Sequence, residues 1–323
     1  MRAFHPASRT VLHLAAALAA ASALAAGCAR PATPVAQQAA AEPGAAAAAA
    51  PPAAHPDVHR FRIGTLDAAV LRDGDIRFPN DGAILGQGRP KADIDAVLAA
   101  AGEPVDVVHL SVQALLVRSG DRVVLFDTGA GDAAFADAGR LPRSLRAAGV
   151  EPAAVTDIFL SHAHADHAGG LLDAEGAPAF ANARIRMAAP EWQALQADAG
   201  RAALATAIAA QVEPFDPGVE VLPGVTAVAV AGHTPGHSAY QIADGAARLL
   251  YIGDSAHHHV VSVQRPRWTI QFDGDAQAAE DSREALLARA ADSGIAVQSP
   301  HFPFPGLGRV ARRDGAFAWV PEP

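Results

Sequence analysis

Cysteine is almost missing from this chain of 323 residues: the one example is Cys28, close to the N-terminus. No disulfide can brace the body, which must draw its stability from core packing or other cross-links, and no Cys–His pair is on offer for catalysis. Clusters of positive charge are missing too. Lysine and arginine number 25 against 34 acidic residues, the formal net charge is −9, and no stretch gathers the basic ones. Attraction to phosphate backbones or anionic membranes is therefore not expected, and nucleic acid is not a partner this composition favours. There is no long membrane span either, because the apolar run VLHLAAALAAASALAAG (11–27) is too short to cross a bilayer comfortably. What remains is half hydrophobic and 18% charged, enough to bury a sizeable core in one large or two ordinary soluble domains.

Arg2 and Arg9 precede the apolar run, so residues 1–27 are expected to form a secretory signal. The run ends in LAAGC. This resembles the lipobox of bacterial lipoproteins, with Cys28 as the lipid-modified residue, although the leucine usual three positions earlier is replaced by Ala25. The alternative is a plain signal-peptidase cut nearby. Residues 28–56 are Ala/Pro-rich without apolar periodicity and are expected to act as a disordered linker. Together these features predict export to the periplasm or cell envelope, with a membrane lipid anchor if Cys28 is modified, and they leave the oligomeric state open.

Residues 57–323 are expected to form one α/β domain. Strand-like runs come first: HRFRIGTLDAAVLRDGDIRF with a Gly-Asp turn, then HLSVQALLV and RVVLFDTG about an RSGD turn. A helical RLPRSLRAAGV and a short strand VTDIFLSH follow. The order then repeats, with strands ARIRMAAP, VTAVAVAG and LLYIGD, helical EWQALQADAG and RAALATAIAAQV, and a long helix AQAAEDSREALLARAADSG before IAVQSPHF and the hairpin RVARRDGAFAWV. Two halves, each sheet followed by helix, predict two packed sheets with helices outside.

The densest chemistry is SHAHADHAG (161–169), three histidines and an aspartate within six positions. His162 and His164 stand two apart beyond a strand and project to one side, with Asp166 and His167 just after them. Imidazole and carboxylate are the usual ligands of zinc and similar ions, so the stretch suits metal, and more than one ion.

SHAHADH resembles the HxHxDH motif of the metallo-β-lactamase-fold hydrolases. Further blocks are similar to that family's in order: AGHTPGHSAY (231–240) with His233, YIGD (251–254) with Asp254, SPHFPFPG (299–306) with His301, and VVLFDTG (123–129) with Asp127. The tail, with GDSAHHHVVSVQRPRW and AFAWVP, resembles the methyl parathion hydrolase-like branch, which acts on phosphotriesters, lactones and esters. The resemblance implies a four-layer αββα sandwich, an α/β (α+β) architecture. It implies two divalent metal ions, zinc first, with manganese, iron or cobalt as alternatives: His162, His164 and His233 on one, Asp166, His167 and His301 on the other, and Asp254 between them. It further implies catalysis by a metal-bridging hydroxide on a small ester-like molecule, its proton oriented by Asp166 or Asp254. Asp127 and His237 would support the ligands. His257 would line the substrate mouth or donate a proton, against the plainer reading of a polar loop residue. Trp268, Phe272, Phe302 and Phe304 would form an apolar wall unless they are core.

Other readings fit less well. Oxygen-reducing di-iron relatives carry glutamate where His164 stands. True β-lactamases of the fold use a cysteine ligand or lack the bridging aspartate. Glutathione-thioester hydrolases usually add a C-terminal helical part, whereas about seventy residues follow Asp254. A non-catalytic envelope metal-binding protein is the reading from a different class.

Overall fold

The structure, a computed structural model, describes residues 54–322. The expected signal segment, Cys28 and most of the expected linker lie outside the described residues. Fourteen strands form two sheets of seven. The first holds β1 (Val58–Ile63), β2 (Leu66–Pro79), β3 (Val107–Ser119), β4 (Arg122–Phe126), β5 (Asp157–Phe159), β6 (Arg184–Ala188) and β7 (Val212–Phe215) in that spatial order. The second holds β8 (Glu220–Leu222), β9 (Val225–Ala229), β10 (Ser238–Asp244), β11 (Ala247–Tyr251), β12 (Ala296–Gln298), β13 (Leu307–Arg313) and β14 (Ala316–Pro321), again in order. β4 to β7 are parallel, as are β11 and β12, and the remaining neighbours are antiparallel.

The near-continuous apolar runs of the central strands follow from burial on both faces. In β4, Val124 and Phe126 point between the sheets while Leu125 points outward; in β11, Leu249 and Tyr251 face inward and Leu250 outward. The outer face of the first sheet is covered by α2 (Leu141–Ala147), α4 (Ala189–Ala197) and α5 (Ala202–Ile208), through Leu141, Leu145, Leu195 and Ile208. The second is covered by α7 (Ala276–Ser293), through Leu286, Leu287 and Ala290. Helices α1 (Lys91–Ala100) and α6 (Val261–Gln264) pack Ile94, Leu98 and Val261 against Val108 and Leu110 of β3, and α3 (Ala165–Ala168) is a single turn. The result is the expected four-layer αββα sandwich.

Two local expectations change. The Gly-Asp pair at 74–75 is not a turn: β2 continues through it as a bulge, and the hairpin turn sits at Gly64–Thr65. A Cβ on Gly74 would stand 2.2 Å from the carbonyl oxygen of Asp137, so glycine is needed because a crossing loop touches the strand there. Helix α1 and strand β10 were not read from the sequence, the first for want of a cap residue and the second because its start merges with GHTPGHSAY. No helix among the described residues is long and apolar enough to cross a membrane.

Candidate metal centre

Strands β4, β5, β9, β11 and β12 all end on one side of the sandwich, and the chemistry-bearing residues follow their last positions: Asp127 after β4, His162 to His167 after β5, His233 after β9, Asp254 after β11 and His301 after β12. The structure brings all seven expected ligands together in two groups. One is His162, His164, His233 and Asp254; the other is Asp166, His167, His301 and Asp254. Asp254 faces both. Its Oδ2 lies 3.7 Å from His162 Nε2 and 3.4 Å from His233 Nε2, and its Oδ1 lies 3.1 Å from both His167 Nε2 and His301 Nε2.

Tautomers are set from behind. His301 Nδ1 donates to the Ser111 carbonyl at 2.7 Å, His167 Nδ1 to Asp127 Oδ2 at 2.7 Å, His233 Nδ1 to Asp273 Oδ1 at 3.0 Å, and His162 Nδ1 to Ser161 Oγ at 3.0 Å. Each ring then presents a bare Nε2 lone pair to the centre. His167 and His301 Nε2 are 3.2 Å apart, His233 and His162 Nε2 are 3.2 Å apart, and His233 Nε2 is 2.9 Å from His164 Nδ1. Facing lone pairs repel unless a cation lies between them. Tetrahedral ions with metal–ligand distances of about 2.0–2.2 Å separate their ligand atoms by about 3.3–3.6 Å, matching the spread seen here. Asp254 Oδ1, buried without a hydrogen bond, is the kind of orphan that an ion satisfies. The residues present therefore fit two divalent cations.

The electrostatics point the same way. Burial opposes charge on His167, yet Asp254, Asp166 and Asp127 outweigh it and hold its pKa well above the ordinary value, so without an ion the carboxylates draw a proton onto this ring, and a bound cation would take that proton's place and free the Nε2 lone pair. Burial dominates at His164, where neighbouring His233 adds to it, and the ring drops to about 3, neutral and ready to ligate. Asp254 is held well below the carboxylate range: burial resists ionisation, and the imidazoles of His167 and His301 overcome it.

Asp127, expected as a support, takes four bonds: Ser161 N–H and Oγ–H, the His167 ring and the Tyr251 hydroxyl, each at 2.7 Å. Its φ of 58° places the side chain in a conformation that aspartate tolerates better than most residues. His237 belongs to neither ligand group. Its Nδ1 donates to the Val230 carbonyl and its Nε2 accepts the Asp254 N–H at 3.0 Å, which requires a neutral ring; burial, then His233, lowers it to about 3. His257 is buried with neither ring nitrogen hydrogen-bonded, 3.1 Å from Asp254 Oδ2 and stacked on His301.

A cavity of about 430 Å³ opens above the centre, with His164, Asp166, Asp254, His257 and His301 at its base and Ile76, Phe78, Ile84, Leu110, Phe135 and Phe272 on its walls, together with the exposed Arg77. The expected aromatic wall is thus corrected in part. Phe272 lines the cavity, but Phe302 turns the opposite way from His301, into the core under α7, where its ring meets Trp319 edge-on at 4.9 Å. Phe304 packs between the sheets and Trp268 against α1. Phe135, from the loop after β4, was not anticipated.

Other supports also escaped the sequence. Glu191 is buried in α4 and ties two ligand loops together, accepting from Ala163 N–H at 2.8 Å, Thr234 O–H at 2.6 Å and Gly236 N–H at 3.0 Å. Behind His233, Asp273 pairs with the buried Arg283 of α7 at 2.7 Å, and Arg283 also donates to the Ser255 carbonyl beside Asp254. Burial alone would raise Asp273, but the His233 hydrogen bond and the Arg283 charge keep it at about 2. One-letter patterns carry no signal for these residues, since each partner is distant in the chain.

A family profile described as the metallo-β-lactamase superfamily matches residues 107–295, more than half of the chain. The chain belongs to this superfamily. Among solved structures, this metallo-β-lactamase-fold chain is similar to AidC, a dizinc quorum-quenching lactonase in complex with the product N-hexanoyl-L-homoserine, at 29% identity and a TM-score of 0.75, covering 82% of this chain and 97% of that one. It is similar to AbOPH, a hydrolase in the β-lactamase superfamily, at 27% identity and a TM-score of 0.74, covering 83% and 98%. A probable metal-dependent hydrolase from Staphylococcus aureus shares the fold at 19% identity and a TM-score of 0.69, covering 81% and 99%. Comparison with curated proteins returns no match.

Proposed function

We propose that the protein is a binuclear metal-dependent hydrolase of small, uncharged, ester-like molecules, with lactones and aryl esters ahead of phosphotriesters. The observation that carries this is one carboxylate, Asp254, facing two complete ligand groups at the floor of a cavity whose walls are mostly apolar. His162, His164, His233 and Asp254 Oδ2 would hold one ion, and Asp166, His167, His301 and Asp254 Oδ1 the other. The chemistry supplied by two ions bound there would be activation of a water near neutral pH and polarisation of the scissile carbonyl or phosphoryl oxygen.

The chain's own groups complete the chemistry. The phenyl and aliphatic walls take an apolar substituent and exclude water from it. Asp166, the more open of the two carboxylates at the base, accepts the nucleophile's proton. His257, whose ring nitrogens have no hydrogen-bond partner, offers an N–H to the leaving oxygen. The lactonase AidC and the hydrolase AbOPH support this substrate class, and the GDSAHHH and SPHFPFPG blocks support placement in the methyl parathion hydrolase-like branch. Export with a lipid on Cys28 belongs to the same proposal and rests on the N-terminal residues alone.

The test is a panel of lactones, aryl esters, thioesters and phosphotriesters, run with metal content measured on the same sample. Metal-dependent turnover of a lactone or aryl ester is expected. Turnover confined to glutathione thioesters, or no turnover by chain carrying two ions, contradicts the reading.

A further inference from the structure

At the opposite end of the sandwich from the metal centre lies a second cleft, of about 710 Å³. Four arginines from four elements converge on it: Arg62 of β1, Arg248 of β11, Arg289 of α7 and Arg309 of β13. The one carboxylate among its lining residues is Glu322, which pairs with Arg309 at 2.7 Å. Arg62 meets Asp67 in a pair open to solvent, where screening leaves the guanidinium available. Arg248 bonds only to carbonyls of its own turn, and Arg289 to the Gln241 side chain at 2.6 Å, so neither charge is neutralised among the described residues. Beneath them the floor is apolar, made by the buried Ile63, Leu249 and Leu307.

A cationic rim over an apolar floor is unexpected in a chain of net charge −9 whose densest basic stretch, RVARR (309–313), supplies only one of the four arginines. It is assembled by the fold, from positions 62, 248, 289 and 309. We propose that this cleft docks the protein on a membrane surface by taking the phosphate headgroups of anionic phospholipids. Arginine matches phosphate geometry with paired N–H donors, the floor accepts the glycerol and first methylenes, and the volume exceeds what a bare phosphate needs. Strand β11 runs from Arg248 in the cleft towards Asp254, and β12 from Ala296 in the cleft towards His301. Docking by this end therefore turns the substrate cavity away from the bilayer.

The experiment uses the full chain carrying Cys28→Ala, so that no lipid is attached, in co-sedimentation with vesicles of phosphatidylcholine alone or with added phosphatidylglycerol. The first vesicles set the baseline for the N-terminal segment. Sedimentation above that baseline is expected only with phosphatidylglycerol, falling as salt is raised. The double variant Arg248→Glu/Arg289→Glu should lose that increment by at least about tenfold, with unchanged thermal midpoint and aryl-ester hydrolysis. Equal sedimentation of variant and parent overturns the proposal. So does abolition of the increment by inorganic phosphate at matched ionic strength, which would assign the cleft to free phosphate instead.

Discussion

At the scale of single residues, side chains that complete a ligand group respond differently to substitution from those that hold or flank it. His257→Ala should keep its metal content and lose turnover, most for substrates with poor leaving groups, because the ring faces the cavity but is not needed to complete either group; metal quantification beside kcat separates the two effects. Asp273→Asn removes the charge behind His233 while preserving shape. Metal affinity measured by chelator competition should fall about 10- to 100-fold, the usual cost of losing such a partner. An unchanged affinity would mean that Asp273 merely packs. The sequence displayed the ligands themselves, since His162, His164, Asp166 and His167 sit in one motif and His233, Asp254 and His301 in short blocks of their own. It did not display Glu191, Asp273, Arg283 or Phe135, whose relation to the centre exists only after folding. Phe302 packs in the core instead because the chain bends at residues 300–303, which carries His301 to the centre and turns the next ring under α7.

At the scale of elements, strand ends and helix α7 decide the geometry. Gly232 carries a φ of 130°, and a Cβ there would stand 2.1 Å from the backbone nitrogen of Ala279 in the first turn of α7. Gly232→Ala should force the His233 loop and α7 apart, lowering stability by at least about 2 kcal/mol and weakening metal retention; a thermal midpoint equal to the parent's would contradict that contact. Most strands were legible as runs of β-branched and apolar residues between turn signals. The bulge at Gly74 was not, because the loop that crosses it lies some sixty residues downstream. Short α1 and the strand hidden behind GHTPGH lack, respectively, a capping residue and a polar break, so nothing local announces them.

At the scale of the whole molecule, buried imidazoles link stability to pH. His258 is held neutral, at about 3 against an ordinary 6.5, by burial first and then by His259 and His109, and its Nδ1 accepts the Val260 and Val261 N–H groups at the start of α6. A histidine with a depressed folded pKa stabilises fully above 6.5 and loses that contribution as pH falls towards 3. Denaturant midpoints of the chelator-treated protein should therefore fall across that window, and His258→Gln should flatten the fall. A midpoint that holds steady down to the lower limit would refute the neutral ring.

The central claim, that Asp254 joins two ions into one hydrolytic centre, is tested most directly by metal content and turnover measured together on the parent and on Asp254→Ala. The parent should carry two divalent ions per chain and hydrolyse a lactone or aryl ester. The variant should lose metal and, with it, nearly all turnover. A variant that keeps both ions, or that hydrolyses at close to the parent's rate, would contradict the account.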